Sequence, residues 1–362
     1  MLRVPLTQAV NYRLFANNLT SRLAAGLYIE AAHVGLQDSA PREALVGMHA
    51  RVEACEPSAW QDSRLIQTCS HRSAVYALPA GDFGGVRRLR GSMVASMATQ
   101  AEKARHFLDL HHGDHPLLLP NPWDQGSAKI LASLGFRALA TTSSGFAATL
   151  GRPDGSVSRD EALAHAEAIV AATGLPVSAD LENCFAHDPE GVAATVRLAA
   201  RTGLAGCSVE DFSGEEIYDA ALAAERVAAA AEAARDSGLV LTARAENYLH
   251  GRPDLPDTIA RLQAYQEAGA DVLYAPGLVA IADIRAVTGS VDKPVNVLAM
   301  PGVPPVAELA LARVSRVSVG GALAFAALGT LAEAGRELLE KGTYGFRAGG
   351  AAGREAARAA FG

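Results

Sequence analysis

The segment PVSADLENCFAHD, Pro176 to Asp188, decides how the chain is built. It starts as a short apolar run of β type, delivers two carboxylates one residue apart, Asp180 and Glu182, and stops at Asp188, with Pro189 next. An Asp-Pro pair opens helices, so this is a strand handing over to a helix through a polar loop. The theme recurs in LLLPN (117–121), ALATTS (138–143), GCSVED (206–211), VLTARAE (240–246), VLYAPG (272–277), PVNVLA (294–299) and RVSVGG (316–321). With PVSADLE (176–182) that makes eight strands.

The intervening segments carry helix signals. Ser158 and Glu161 form a capping box for a helix closed by Gly174, and Asp188-Pro189 opens one ending near Gly203. Asp219 and Asp257 are expected to cap two more, ended by Gly238 and Gly269. Strands too apolar to face water, alternating with helices, imply a parallel sheet in an α/β fold. Eight units fit a (β/α)8 TIM barrel of about 250 residues. An open doubly wound sheet is the rival. The barrel is expected over 105–345, with a helical tail at 346–362.

Composition sets the class. Among 362 residues, 49% are apolar and 20% charged, enough for a large buried core. No apolar run is long enough to span a bilayer, since Glu225, Arg226, Glu232 and Arg235 break the Ala-rich stretch. Four cysteines without a CxxC pair, and no secretory apolar segment at the start, predict a cytoplasmic protein without a disulfide framework. Charge is uneven: residues 1–92 hold ten Arg and seven acids, net +3, whereas the rest is net −10. Residues 91–104 read as a linker between a small, mainly helical N-terminal segment, 1–90, and the barrel.

Barrel active sites lie at the C-terminal strand ends. Those ends carry Asn121 and Asp124; Thr142, Ser143, Ser144 and Gly145; Asp180 and Glu182; Glu210 and Asp211; Arg244 and Glu246; and Asn296. Asp180 and Glu182, two apart on a regular strand, share a side, and the barrel mouth spares them burial against apolar helices. With Glu210 they form an all-oxygen set that suits Mg²⁺ or Mn²⁺ better than Zn²⁺. Arg244 suits a bidentate grip on a substrate carboxylate, or else a salt bridge to Glu210 or Glu246. Ser143, Ser144 and Gly145 offer an anion cradle. His250 and the cluster His111, His112 and His115 read as solvated rather than metal-binding, the cluster lying at the N-terminal face.

These residues resemble the isocitrate lyase and phosphoenolpyruvate mutase superfamily over about 103–345. Asp180-Leu181-Glu182 matches its strand-three motif, Val209-Glu210-Asp211 its strand-four motif and Ala243-Arg244 its strand-five motif; SSGFAATLGRPDG resembles its substrate loop with a following acid, Asp154. The resemblance implies a Mg²⁺ (or Mn²⁺) enzyme with Asp180, Glu182 and Glu210 on the metal. Arg244, Asp154 and Glu210 would be catalytic, and Ser143, Ser144, Gly145, Arg244 and Asn296 would hold a small 2-oxo or 2-hydroxy carboxylate that reacts through an enolate of pyruvate. The segment EDFSGEEIYDAA lacks the Cys, His and Lys of the carbon–carbon lyase lid and the Lys-Asn-Ser of the mutases and phosphonate hydrolases. An oxaloacetate-decarboxylase-like reaction is therefore expected first. Methylisocitrate-lyase-like cleavage, or carboxyphosphonate or phosphonopyruvate chemistry, stands behind it. Cys184 stands where relatives usually carry Gly, so Cys184 and Ala186 are expected to stiffen or distort the metal loop. The tail is expected to build a homo-oligomer through C-terminal helices.

Ala31–Gly84 resembles the opening of a family of winged-helix DNA-binding-domain proteins and reads as a truncated piece of one. Its charge is a poor footprint for nucleic acid. A nucleic-acid-binding protein with an inactive barrel is the alternative of another class.

Overall fold

The computed structural model describes residues 99–362. The winged-helix-like reading of Ala31–Gly84 and most of the linker lie outside the described residues. Helix α1, Gln100–Asp109, straddles the boundary expected at residue 105, and Thr99 with Glu102 forms its capping box.

Eight parallel strands follow: β1 Leu117–Leu119, β2 Leu139–Ala140, β3 Val177–Ala179, β4 Gly206–Glu210, β5 Val240–Arg244, β6 Val272–Tyr274, β7 Val295–Leu298 and β8 Arg316–Ser318. Their ladder runs β1-β8-β7-β6-β5-β4-β3-β2. The remaining seam, between β1 and β2, is bridged at the mouth. Ala140 N–H donates to the Pro120 carbonyl (3.1 Å) and the Asn121 amide donates to that of Thr141 (2.9 Å). Asn121 Oδ1 also accepts from the amides of Val319 and Gly320, tying the last strand to the first. The open-sheet rival is thereby excluded.

Helices α2 (Gln125–Ser133), α3 (Ser143–Thr149), α4 (Arg159–Ala172), α5 (Pro189–Ala200), α6 (Ala220–Ser237), α7 (Leu255–Glu267), α8 (Ile281–Ser290) and α9 (Val306–Leu311) fill the connections. Capping by Ser158, Asp188 and Asp219 is as the sequence predicts. The cap of α7 is corrected: Asp254 accepts from the Asp257 amide at 3.0 Å, and Asp257 instead holds Arg261 at 2.8 Å. Two long helices end the chain, α10 (Ala322–Lys341) and α11 (Arg347–Phe361).

The barrel floor is closed by α1. Phe107 is fully buried and joins Leu117, Leu119, Val240 and Val272 in one cluster. Gly206 admits it, because a Cβ there would meet the Val240 carbonyl oxygen at 2.6 Å and the Phe107 ring at 3.1 Å. Beside this plug, His111 corrects the solvated reading of its cluster: His112 and His115 are exposed, but His111 is buried. Its Nδ1 lies 2.8 Å from the Phe107 carbonyl and its Nε2 lies 3.2 Å from Arg316. Burial first, and then the Arg316 charge, push its pKa down to about 3, so the ring is neutral and accepts from the guanidinium. Arg316 also donates to Thr242 and Asn296.

Replacing Phe107 with Ala should cost about 3–5 kcal/mol of stability in chemical denaturation, the range for emptying a buried aromatic site. A loss under about 1 kcal/mol would show that α1 is not part of the cooperative unit.

Candidate active site

Strand β3 stops at Ala179, so Asp180 and Glu182 are not on a regular strand as their spacing suggested. They still reach the mouth together, because the chain turns sharply: Leu181 goes into the core while Asp180 and Glu182 stay partly exposed. The turn needs left-handed backbone at Glu182 (φ 51°), Cys184 (φ 59°) and Phe185 (φ 55°). Each is disfavoured for a residue with a Cβ, by roughly 1–2 kcal/mol. Cys184, one of the two residues expected to stiffen or distort this loop, sits at a left-handed position, and the other, Ala186, does not.

Arg244, at the end of β5, is the hub. Its Nη1 lies 2.7 Å from Asp180 Oδ1, its Nη2 3.2 Å from Glu210 Oε2 and its Nε 2.7 Å from Glu246 Oε1. Register places it beside Glu210 on β4 and Tyr274 on β6, and its guanidinium lies 5.2 Å from the Tyr274 ring centre. One cation thus faces three carboxylates, with Glu182 close by. Burial raises the pKa of Glu210 and of Glu246 in spite of Arg244. Burial, and then the charges of Asp180 and Asp154, push Glu182 up to about 7.

This bears directly on a metal. Among the described residues no three acidic, His or Cys groups already converge as a cation site, because the Arg244 fork sits between Asp180 and Glu210. The donor chemistry nonetheless fits a hard divalent ion: all oxygen, surplus negative charge, and part of it held back as protons.

The predicted cradle lies next to the acids. Thr142 caps α3, accepting from the Gly145 amide at 3.3 Å and lying 3.2 Å from the Ser144 hydroxyl, while the Ser143 amide donates to Asp180 Oδ2 at 3.3 Å. A Cβ on Gly145 would come within 2.6 Å of the Thr142 methyl. Thr141, Thr142, Ser143, Asp180 and Glu182 line a small open recess together with Phe146 and His165, whose rings stack (3.9 Å between centres), while Ser144 and Gly145 of the predicted cradle are not part of its lining.

Two predicted site residues stand apart. Asn296 is 1% exposed and spends its amide on Ser318 and Arg316, in the layer below the mouth. Asp154 lies on an exposed turn, and only its charge reaches Glu182. Asp211 turns away from the mouth to Arg261 and Tyr265. Cys184 is a core residue: its thiol faces the Ser208 carbonyl, and burial raises its pKa well above the usual thiol range.

Sequence reasoning missed His165 and the place of His250, which stacks on Phe212 of the segment after β4 and lies 3.8 Å from Glu246. The four-residue spacing from Glu246 to His250 was the available signal. Arg226 was also passed over, hidden in an Ala-rich helix.

The phosphoenolpyruvate phosphomutase family model matches residues 107–339. An uncharacterized protein of Mycobacterium tuberculosis (strain ATCC 25618 / H37Rv) is 35% identical over 231 residues, 64% of this chain and 87% of that one. Among solved structures, a Burkholderia cenocepacia J2315 protein described provisionally as a lyase/mutase is 52% identical, with a TM-score of 0.67 over 68% of this chain and 91% of its own. Oxaloacetate acetylhydrolase in complex with its product oxalate is 26% identical, with a TM-score of 0.62 over 68% and 89%.

The carboxyl of Glu182, pushed up to about 7, holds a proton in the folded protein that it releases when unfolded. Its folded pKa is raised, so metal-free stability falls as pH climbs from the usual carboxylate range through about 7. Glu182→Gln should therefore melt above the wild type at pH 8 and together with it at pH 5, by calorimetry in chelator. Equal melting at pH 8 would contradict the assignment. Brief iodoacetamide treatment of the native protein at pH 8, mapped by mass spectrometry, should leave Cys184 and Cys207 unlabelled; labelling of Cys184 would show a reactive thiol.

Proposed function

Because the chain belongs to the phosphoenolpyruvate phosphomutase family, we propose that it is a Mg²⁺-dependent lyase acting on a small 2-oxo carboxylate, with decarboxylation of an oxaloacetate-like acid as its reaction. The observation that carries this reading is Arg244 held among Asp180, Glu210 and Glu246, with Asp180 also lining the recess of Thr141, Thr142 and Ser143. A cation bound at Asp180, Glu182 and Glu210 would polarise the substrate's carbonyl oxygen.

The protein's own groups supply the rest. The opening turn of α3, with the Ser143 and Ser144 hydroxyls, orients the substrate carboxylate. Arg244 offers a planar fork, set by Glu246 at its Nε, to the oxygen that becomes negative as the carbon–carbon bond breaks. The electron pair of that bond moves toward the carbonyl, CO₂ departs without needing a proton, and the enolate left behind takes one proton from water at its carbon to become pyruvate. This matters because the polar side chains that the segment Asp211–Asp219 presents to solvent are Ser213, Glu215, Glu216 and Asp219, the last of them the cap of α6. Cleavage of a 2-hydroxy acid would also need a base for the hydroxyl and an acid for the leaving fragment, and no Lys, Cys or His stands there. Phe146 and His165 line the recess beside the acids.

We also read α10 as an assembly element. Leu328, Leu331, Leu338 and Leu339 are exposed along it, an apolar surface suited to a second copy. Sedimentation at micromolar concentration should show a homo-oligomer; a monomer would remove this part of the proposal.

The enzyme should release pyruvate from oxaloacetate with Mg²⁺ above the metal-only rate, and lose this in Asp180→Ala. Arg244→Lys should lower kcat by about 10²–10³, the usual effect of removing a donor to a developing oxyanion. Lack of metal-dependent turnover across a panel of 2-oxo and 2-hydroxy dicarboxylates would end the lyase reading.

A further inference from the structure

Arg226, on α6, is a buried cation (1% exposed) whose partners are main-chain oxygens. Its Nη1 donates to the Glu210 carbonyl at 2.9 Å, and its Nη2 donates to those of Asn183 at 2.7 Å and Ala186 at 3.0 Å. The guanidinium lies 4.1 Å from the Tyr218 ring centre, and among the described residues its Nε meets no acceptor. A charge this deep is costly unless its hydrogen bonds are made, and here the two terminal nitrogens make three of them to main-chain oxygens.

What it holds is specific. Asn183 and Ala186 flank the left-handed residues Cys184 and Phe185, and Asn183 follows Glu182, itself left-handed. Glu210 ends β4 and its amide donates to the Glu182 carbonyl at 3.1 Å. One planar fork therefore spans two segments, the turn carrying Asp180 and Glu182 and the strand end carrying Glu210. A turn with three left-handed non-glycine residues would relax without such a tie. A Lys could not replace it, because a single ammonium lacks the fork that reaches two directions at once.

Resting on the metal-dependent reading above, we propose that Arg226 is a positioning residue for the cation site: it fixes the Asp180–Glu182 turn against Glu210 so that the three carboxylates can close on one ion. Arg226 touches neither the recess nor a carboxylate oxygen, and it acts through the backbone.

The test is Mn²⁺ binding to the full chain at pH 8, read by electron paramagnetic resonance without substrate. Arg226→Lys and Arg226→Met should weaken Mn²⁺ by about 10–100-fold, the usual effect of losing a group that orients ligands. Thr288→Val, which removes a buried hydrogen bond to the Ala312 carbonyl away from the mouth, controls for general destabilisation and should leave the affinity unchanged. Should Arg226→Met fail to fold, Arg226→Lys carries the comparison. A folded Arg226 variant that binds Mn²⁺ like the wild type, or equal weakening by Thr288→Val, overturns the proposal. A wild type that binds no Mn²⁺ removes the metal reading itself, and that result is separable because it precedes any variant.

Discussion

One guanidinium among too many carboxylates organises the mouth of this barrel. Arg244 makes close ion pairs with Asp180, Glu210 and Glu246, and Glu182 lies within range of the same field. Burial first, and then the charges of neighbouring acids, raise the proton affinities of Glu182, Glu210 and Glu246 in spite of Arg244. Without a cation, the raised pKa values favour protons on these carboxyls beside Arg244. A divalent cation would replace the protons and free part of the Arg244 fork for an anionic substrate. Assembly of the ligand set and availability of the anion grip are thus two sides of one equilibrium.

The rest of the fold serves to hold these charges at a fixed spacing. Residues 180–185 are forced into a turn with left-handed positions, clasped by Arg226 from the helix layer. Below the mouth, a second buried guanidinium, Arg316, is held by Asn296, Thr242 and neutral His111. The Phe107 plug shields that layer from water. Asp211, which follows Glu210 in sequence, faces Arg261 and Tyr265 instead of the mouth and pins the start of the next loop. Adjacent acids have unlike tasks because the chain direction changes between them.

The architecture was legible because βα units leave a period that side chains cannot disguise. Eight apolar runs ending in polar residues became eight parallel strands, and the Ser158, Asp188 and Asp219 caps followed from helix-end chemistry. The misread cap, Asp257 for Asp254, reflects two acids three residues apart, either able to serve locally. The acids and Arg244 at the mouth were legible as a set of strand ends, and the structure brings Asp180, Glu210, Arg244 and Glu246 into contact. What the sequence could not display was partner choice. Arg244 as salt bridge or as anion grip stayed open on spacing alone, and Asn296 at a strand end turned out to serve the layer beneath. His111 was misjudged because its neighbours His112 and His115 are exposed, while its burial depends on α1 and on Arg316, some two hundred residues away. Arg226 lay in a helix whose Ala-rich pattern gave no sign of a charge turned inward.

Calorimetric titration of Mg²⁺ into the metal-free protein at pH 7, repeated in buffers of different ionisation heat, tests the central claim most directly. The expected result is saturable binding with net release of protons, as carboxyls of raised pKa give way to the cation. Binding without proton release, or no binding at millimolar Mg²⁺, would contradict it.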